Sequence, residues 1–583
     1  MSNFSDQFSE KIRFHEVKKA EWQRKFYFLV VIRLLIGLGM AYSLYHILYF
    51  KAVYPALYFF FGGLAVFLTM VNLSIRVKRK LLYHRKGVAF FENEVGMQAH
   101  ELNQLFADGE GKELADFAVD LDLLGAGGIF QRLNRSVTPN GEETLLKWMR
   151  CEAVDQEQVE ARQRLVKKIS AQADWMTAFL VEGLSEDLHE AGAISMKMPE
   201  KSRKWSSLWQ WVTYLLPVLG VLAVGQYYIY DSKMIGWAAV ILSWGATSYF
   251  GKDLKAHFEL ISQKVALFYR YGRMMDLVEK LEADGLLKAH KASLKSASEA
   301  VGALRSVASL ANQRQNALAY IIVNSLFGLD LQWYSRLMKW EQKYGAQFDA
   351  QLQLLGELDA LVTLGWWQYT HPHYTVPTFG QRVDISALGH PLIPQSKCVT
   401  NDWGLSEENR LILITGSNMA GKSTFLRALG VGMVLSQMGA VVYAKRWNMP
   451  ILQLLSSLRH SDSLQEQTSY FYAELLKLQK VMRLAEQRPS LILLDEILRG
   501  TNNDDKFEGS ARIIEKLRRH EGLTLLATHD TALCLQYHGL KDIVHYCFES
   551  QIKGGELTFD YKIRSGQAKN KNATFLMEQM GIV

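Results

Sequence analysis

Twenty-six consecutive residues without a charge, WSSLWQWVTYLLPVLGVLAVGQYYIY at 205–230, constrain the fold of this chain more than any other feature. Residues 52–75 form a second uncharged run, 26–50 contain one Arg and one His among apolar side chains, and 234–250 are again uncharged. A spanning helix needs about 20 mostly apolar residues. Core helices of a soluble protein would show a polar face, which these runs lack. The sequence therefore predicts four transmembrane helices in two hairpins, with short connections near Lys51–Pro55 and Asp231–Lys233.

Charge sets the expected orientation. Lys11, Arg13, Lys18, Lys19, Arg24 and Lys25 precede the first run, and Arg76, Lys78, Arg79, Lys80, Arg85 and Lys86 follow the second. Lys201, Arg203 and Lys204 precede the third, and Lys252 and Lys255 follow the fourth. The positive-inside rule then places both termini and the middle of the chain in the cytoplasm, as an integral protein of the inner or plasma membrane if bacterial. Arg33, within two turns of the cytoplasmic end, is expected to snorkel to the headgroups. The first run is too long for a cleaved signal and lacks a small-residue cleavage site.

The net charge of +7 would suit nucleic acid, but residues 1–86 carry +10 and the rest −3. The basic excess is thus a topology signal with attraction for anionic lipid, not the footprint of a strongly basic nucleic-acid domain. Cys151, Cys398, Cys534 and Cys547 show no metal-ligand spacing and read as reduced structural thiols.

Helical periodicity fills 87–200 and 251–370, with turn signals at GAGGIF (125–130) and TPNGEE (138–143). Beyond HPHYTVPTF (371–379), short apolar runs such as RLILIT (410–415), SLILLDE (490–496) and LTLLATH (523–529) alternate with helical stretches. That pattern predicts an α/β domain on a mainly parallel sheet. The expected organisation is a basic tail (1–25), hairpin 1 (26–75), a linker (76–114), and an all-α core (115–204 and 251–375). Hairpin 2 (205–250) interrupts that core, and an α/β domain (376–583) follows it.

GSNMAGKS (416–423) fits G-x-x-x-x-G-K-[ST] between an apolar strand and a helix-like stretch, the context a phosphate loop requires. Gly416, Ser417, Asn418, Met419, Ala420, Gly421, Lys422, Ser423 and Thr424 are assigned to ATP on this basis. Backbone N–H groups and the helix N-terminus would face phosphate oxygens, Lys422 the β- and γ-phosphates, and Ser423 the Mg²⁺ ion. LILLDE delivers Asp495 to Mg²⁺ through water and Glu496 to the attacking water. LLATHD ends a third strand at His529, placed to sense the γ-phosphate.

Together these segments resemble the MutS family of DNA mismatch repair ATPases, a branch of the ABC ATPase superfamily. TGSNMAGKST, LLDEILRGTN and ATHD are similar to its phosphate loop, Mg²⁺ strand and histidine loop, and QTSYFYAEL (467–475) to its signature segment. LLGAGGIFQRLNRSVTPNGEETLLKWM (123–149), LGELDALVTLG (355–365), GHPLI (389–393), TND (400–402) and the ending 561–582 also resemble it, in the family's order.

The resemblance implies a homodimer in which each site is completed across the interface. Ser469 would touch the γ-phosphate bound to the partner, Asn418 would help hold the phosphate and metal end, and ATP would close the dimer. Departures accompany it. No mismatch-reading domain is expected before the core, a membrane hairpin stands where the DNA clamp interrupts it, and the C-terminal dimerisation helices are expected to be absent. Cys398 and Val399 lie where an adenine-stacking aromatic often sits, leaving Tyr561 as the stacking candidate, and Lys445 replaces a glutamine. DNA stays open as a partner beside the lipid bilayer. Two alternatives stand against the ATPase switch: a nucleotide-regulated scaffold with an unspecified protein partner, and an ABC-type transporter. The transporter's LSGGQ segment is missing.

Overall fold

The computed structural model describes residues 2–49, 53–152, 154–185, 205–230, 232–283, 285–311, 317–406, 408–417, 419–459, 470–498, 501–553 and 556–568. The chain divides into two compact units. One joins Met1–Ser136, Glu143–Met176 and Ala360–Val583; the other joins Val137–Glu142 and Thr177–Asp359.

The helices are α1 (Ser2–Tyr49), α2 (Val53–Gln98), α3 (Phe117–Asp120), α4 (Ile129–Leu133), α5 (Pro139–Met149), α6 (Gln156–Ser170) and α7 (Ala173–Gly183). They continue with α8 (Ser207–Tyr230), α9 (Met234–Tyr249), α10 (Gly251–Lys280), α11 (Gly285–Ala311), α12 (Ala317–Phe327), α13 (Leu329–Trp340) and α14 (Ala346–Thr370). Strands β1 (Val383–Leu388), β2 (Asn401–Leu405) and β3 (Leu411–Thr415) lead to α15 (Lys422–Met438). Then come β4 (Arg446–Asn448), β5 (Gln453–Ser457), α16 (Tyr470–Ala485), β6 (Ser490–Asp495) and α17 (Asn503–Leu517). Strand β7 (Leu523–Thr528), α18 (Thr531–Gln536), β8 (Ile543–Lys553) and β9 (Glu556–Ser565) close the described chain.

In the first unit, α1 and α2 pair along their length. The residues expected to form a basic tail and a linker continue these helices instead, as far as Gln98. Charges that interrupt the apolar pattern satisfy one another on the helix: Lys18 and Lys25 both bond Glu21, and Lys25 and Lys80 lie over the Trp22 ring. Phe8 packs on Phe91 and stacks with Trp366, tying the pair to α14. Arg33 lies over the Phe67 ring of α2, 5.7 Å from its centroid. A ring in reach of the guanidinium offers a cation–π contact inside the pair.

Two helices among the described residues, Phe4–His46 and Tyr58–Gln98, are long and apolar enough to cross a membrane by length and composition. The expectation of four spans is corrected here. The apolar stretch of α8 picked out by the same test is the shorter Ser207–Ala223. Helix α9 has 16 residues, about 24 Å at 1.5 Å per residue, against a hydrocarbon core of about 30 Å.

In the second unit, α8 and α9 pack with α12, an apolar helix that the sequence reading did not single out. Ser243 donates to the Asn324 carbonyl and Trp244 to Ser325, and Tyr320 and Asn324 both donate to Asp330. Asp359 lies fully buried and accepts from the Val137 and Thr138 amides and the Thr138 hydroxyl, at 3.0, 2.8 and 2.7 Å.

The α/β part has a six-stranded sheet in the order β5-β6-β7-β3-β8-β9, parallel except for the β8–β9 hairpin, and a small antiparallel sheet β2-β1-β4. Strands β3, β6 and β7 are buried on both faces, which explains their unbroken apolar runs. Helix α15 is buried nearly all round. Its glycines permit this: a Cβ on Gly430 would meet Leu121 at 2.7 Å, and one on Gly432 would collide with the Trp447 ring. The helix ends at Gly439, whose φ of +82° leads into the Ala440 N–H bond to the Leu435 carbonyl.

Candidate active site

Strand order brings the chemistry together. Register pairs Thr415 with Thr528 and Asp495 with Ala527, so the C-terminal ends of β6, β7 and β3 lie side by side. Ligands of parallel α/β sheets bind at this edge.

The phosphate loop leaves β3 through Gly416 at φ +147°, where a Cβ would meet the Phe548 carbonyl at 2.6 Å, and enters α15 through Gly421 at φ +110°. Met419 has φ 73° and an exposed side chain, while Ala420 is buried. Lys422 is buried; its Nζ donates to the Gly416 carbonyl at 2.6 Å and the Ser417 carbonyl at 3.0 Å, and lies 3.9 Å from Glu496. The ammonium is thus held inside the loop. Ser423 donates to Asp495 at 2.5 Å, setting two hard oxygens side by side.

Glu496 and Leu498 have φ of 50° and 59°, a left-handed conformation that non-glycine residues adopt at a cost. The turn is pinned at both ends. The Glu496 N–H donates to the Ala527 carbonyl, and the Leu498 N–H donates to buried Glu474 at 2.5 Å. Glu496 is thereby buried and aimed at His529, whose Nδ1 lies 3.5 Å away on a half-exposed ring. Asp530 caps α18 through the Ala532 and Leu533 amides and so fixes the loop after His529. Asn418 and Ser469 lie outside the described residues, as does the final part of the 561–582 segment.

Beside the loop is a cavity of ≈ 270 Å³ lined by His390, Cys398, Val399, Thr424, Phe425 and Tyr561, among others. Asn401 holds Tyr561 there by donating to its carbonyl at 3.0 Å and accepting from the Ile563 N–H at 2.8 Å. Burial lowers the His390 pKa to about 4, so the ring is neutral at pH 7. Lys445 is exposed, with its N–H on the Ser386 carbonyl. The cysteines are free, and burial pushes the Cys151 and Cys534 thiols up to about 12.

Sequence reasoning missed Asp120. This fully buried carboxylate accepts from the Ser456 hydroxyl, the Leu458 and Arg459 amides, and the Lys477 ammonium at 2.8 Å. Asp122 adds ion pairs to Arg427 on α15 and to Arg459. The acidic VDLD stretch (119–122) was the local signal, and the partners of Asp120 lie over 300 residues away.

A parallel sheet, a glycine-bounded loop with a buried lysine, and a Ser–Asp pair at a neighbouring strand end together form the arrangement of a P-loop. Residues 412–580 match the family model of MutS domain V. The chain is 30% identical to the DNA mismatch repair protein MutS of Halalkalibacterium halodurans over 278 residues, 46% of this chain and 32% of that protein. It is 34% identical to the DNA mismatch repair protein MutS of Thermus thermophilus over 235 residues, 40% of this chain and 28% of that protein. Staphylococcus aureus MutS is 30% identical over 246 residues, 41% and 28% respectively. These matches support the MutS family for the C-terminal part; the chain spans about a third of the length of the curated relatives it matches.

Proposed function

We propose that this chain is a MutS-like, Mg²⁺-dependent ATPase that works as a homodimer, is anchored in a membrane by α1 and α2, and uses ATP to close its cytoplasmic catalytic units on one another. The observation that carries this reading is the convergence of Lys422, the Ser423–Asp495 pair and the Glu496–His529 pair at three adjacent strand ends.

The residues fit both groups. Lys422 exchanges its loop carbonyls for β- and γ-phosphate oxygens, and the N–H groups of the loop and of the first turn of α15 bind the rest. Ser423 and Asp495 suit Mg²⁺, which takes one or two protein oxygens and completes its shell with phosphate and water. The ion, when bound, neutralises charge developing on the phosphates. Glu496 orients the attacking water and accepts its proton, and His529 donates toward the γ-phosphate. Tyr561 and neutral His390 line the cavity that would take the adenine of ATP. Ser469 of one protomer completes the site of the other.

Exposed α1 and α2 side chains such as Leu34, Leu38, Phe59 and Leu68 are suited to lipid. Helices α8, α9 and α12 also present apolar side chains, among them Trp211, Trp237, Ile241 and Ile321. These contact lipid without a full crossing. DNA comes to this reading only from the relatives' repair role. The net charge of −3 beyond Lys86 opposes strong backbone binding.

The test is ATPase activity of the full chain in detergent, with and without homoduplex or mismatched DNA. Glu496→Gln should lower turnover about 10²–10⁴-fold while retaining ATP and accumulating dimer. Normal turnover in that variant, or a monomer throughout the cycle, rejects the mechanism. Filter retention at low salt decides whether DNA is a ligand.

A further inference from the structure

A second cavity of ≈ 270 Å³ opens in the same unit, away from the phosphate loop, where the end of α2 meets α4, the end of α14 and the 391–395 loop. Its walls are largely aromatic. Trp367 lies on His371, with centroids 3.9 Å apart, and Tyr374 stacks on Tyr443 at 4.7 Å and 13°. His371 Nδ1 is engaged by the Trp367 carbonyl at 2.9 Å, and burial lowers the ring's pKa to about 4, so it brings no positive charge at pH 7.

The polar groups are not balanced. Glu94, the acid on this wall, is consumed: it accepts from Arg135 at 2.5 Å and from Trp366 at 2.9 Å. That leaves Arg132, which has no carboxylate partner among the described residues and whose Nε is buried without a hydrogen bond. His100 lines the same space. Its Nδ1 is also buried without a partner, and its backbone has φ 63°. A strained non-glycine residue and two unsatisfied buried nitrogens in one cavity are what a binding site looks like before its ligand arrives.

We infer that this cavity is a second ligand site for a small organic anion with a flat apolar body, its charged end on Arg132 and His100 and its body against the aromatic wall of Trp367, His371, Tyr374 and Tyr443. The guanidinium fork suits a carboxylate or a phosphate monoester alike. Nothing in this inference depends on nucleotide turnover.

The test uses 4-fluorobenzoate, 4-fluorophenyl phosphate and neutral 4-fluorobenzyl alcohol, titrated by ¹⁹F NMR against the full chain in detergent. The expected result is saturable binding of at least one anion, at least tenfold tighter than the alcohol. The preferred anion identifies the head group. Arg132→Gln should weaken the preferred anion about tenfold or more, with Arg132→Lys restoring part of the affinity. Should Arg132→Gln fail to fold, His100→Asn, which tolerates a positive φ, is the replacement and is expected to weaken the same anion. The inference is overturned if no anion saturates, if the alcohol binds as tightly, or if the folded variant binds the anion like the unaltered chain.

Discussion

Ser423 donates its hydroxyl hydrogen to Asp495 across 2.5 Å and so joins the first turn of α15 to the end of β6. The two residues are 72 positions apart, yet each reaches the other because β3 and β6 flank β7 in the sheet. This bond holds both oxygens where a cation bridging to phosphate would bind.

Asp495→Ala should therefore raise the Mg²⁺ concentration needed for binding of a fluorescent ATP analogue by about 10–100-fold. Excess EDTA should bring the unaltered protein to the level of the variant. An unchanged Mg²⁺ midpoint would remove Asp495 from the site.

Glu94 and Arg135 form a buried ion pair, both under 5% exposed, and Trp366 completes the carboxylate's bonding. Removing one charge leaves the other buried and uncompensated. Glu94→Gln should cost about 3–5 kcal/mol, measured by urea unfolding. A loss below about 1 kcal/mol would mean that Arg135 finds another acceptor.

His15 and His84 face each other at 3.1 Å between α1 and α2, and a Cβ on Gly87 would collide with the His15 ring. Burial, then the charges of His84 and Lys11, lower the His15 pKa to about 4. The folded state thus resists a proton that the unfolded state accepts below about 6.5. Stability from this site is present above that value and is lost as pH falls toward about 4. His15→Phe should flatten the fall in melting temperature between pH 7 and pH 4.5, with far-UV circular dichroism as the probe. An equal slope in the variant would place the acid sensitivity elsewhere.

Asp359 has the opposite sign. Burial pushes its carboxyl up to about 7, against the pull of the Thr138 and Val137 donors. The folded state keeps a proton that the unfolded state releases above about 4. Stability from this site falls as pH rises from about 4 to about 7, by on the order of 3 kcal/mol. The difference in urea stability between Asp359→Asn and the unaltered chain should therefore shift in the variant's favour from pH 5 to pH 8. A constant difference would show a carboxylate already ionised at pH 5.

The phosphate loop was legible because its residues are contiguous and the backbone supplies most of the binding surface. Glu496 and His529 were legible as polar ends of apolar strands, but their mutual approach follows from strand order, which no local pattern encodes. Asp120 was hidden because its partners are remote. Arg132 and His100 were hidden for a different reason: what marks them is a lack of partners, visible only once the surrounding side chains are in place. The helical extent of α1 and α2 was underread because Lys18, Glu21 and Lys25 look like a solvated tail until their pairing is seen.

Helix α1 runs 48 residues without a break, roughly 72 Å, more than twice the thickness of a hydrocarbon core. With Phe8 lodged between Phe91 and Trp366 near one end, the rod is geometrically a lever arm. From Phe8 to Tyr49 the arm is about 62 Å, so a swing of about 10° about that fulcrum would carry the far tip roughly 11 Å sideways. Angular play too slight to disturb the packing around Trp366 would thus emerge as a large lateral sweep, and bending stress around the tip would return to Trp366 as torque.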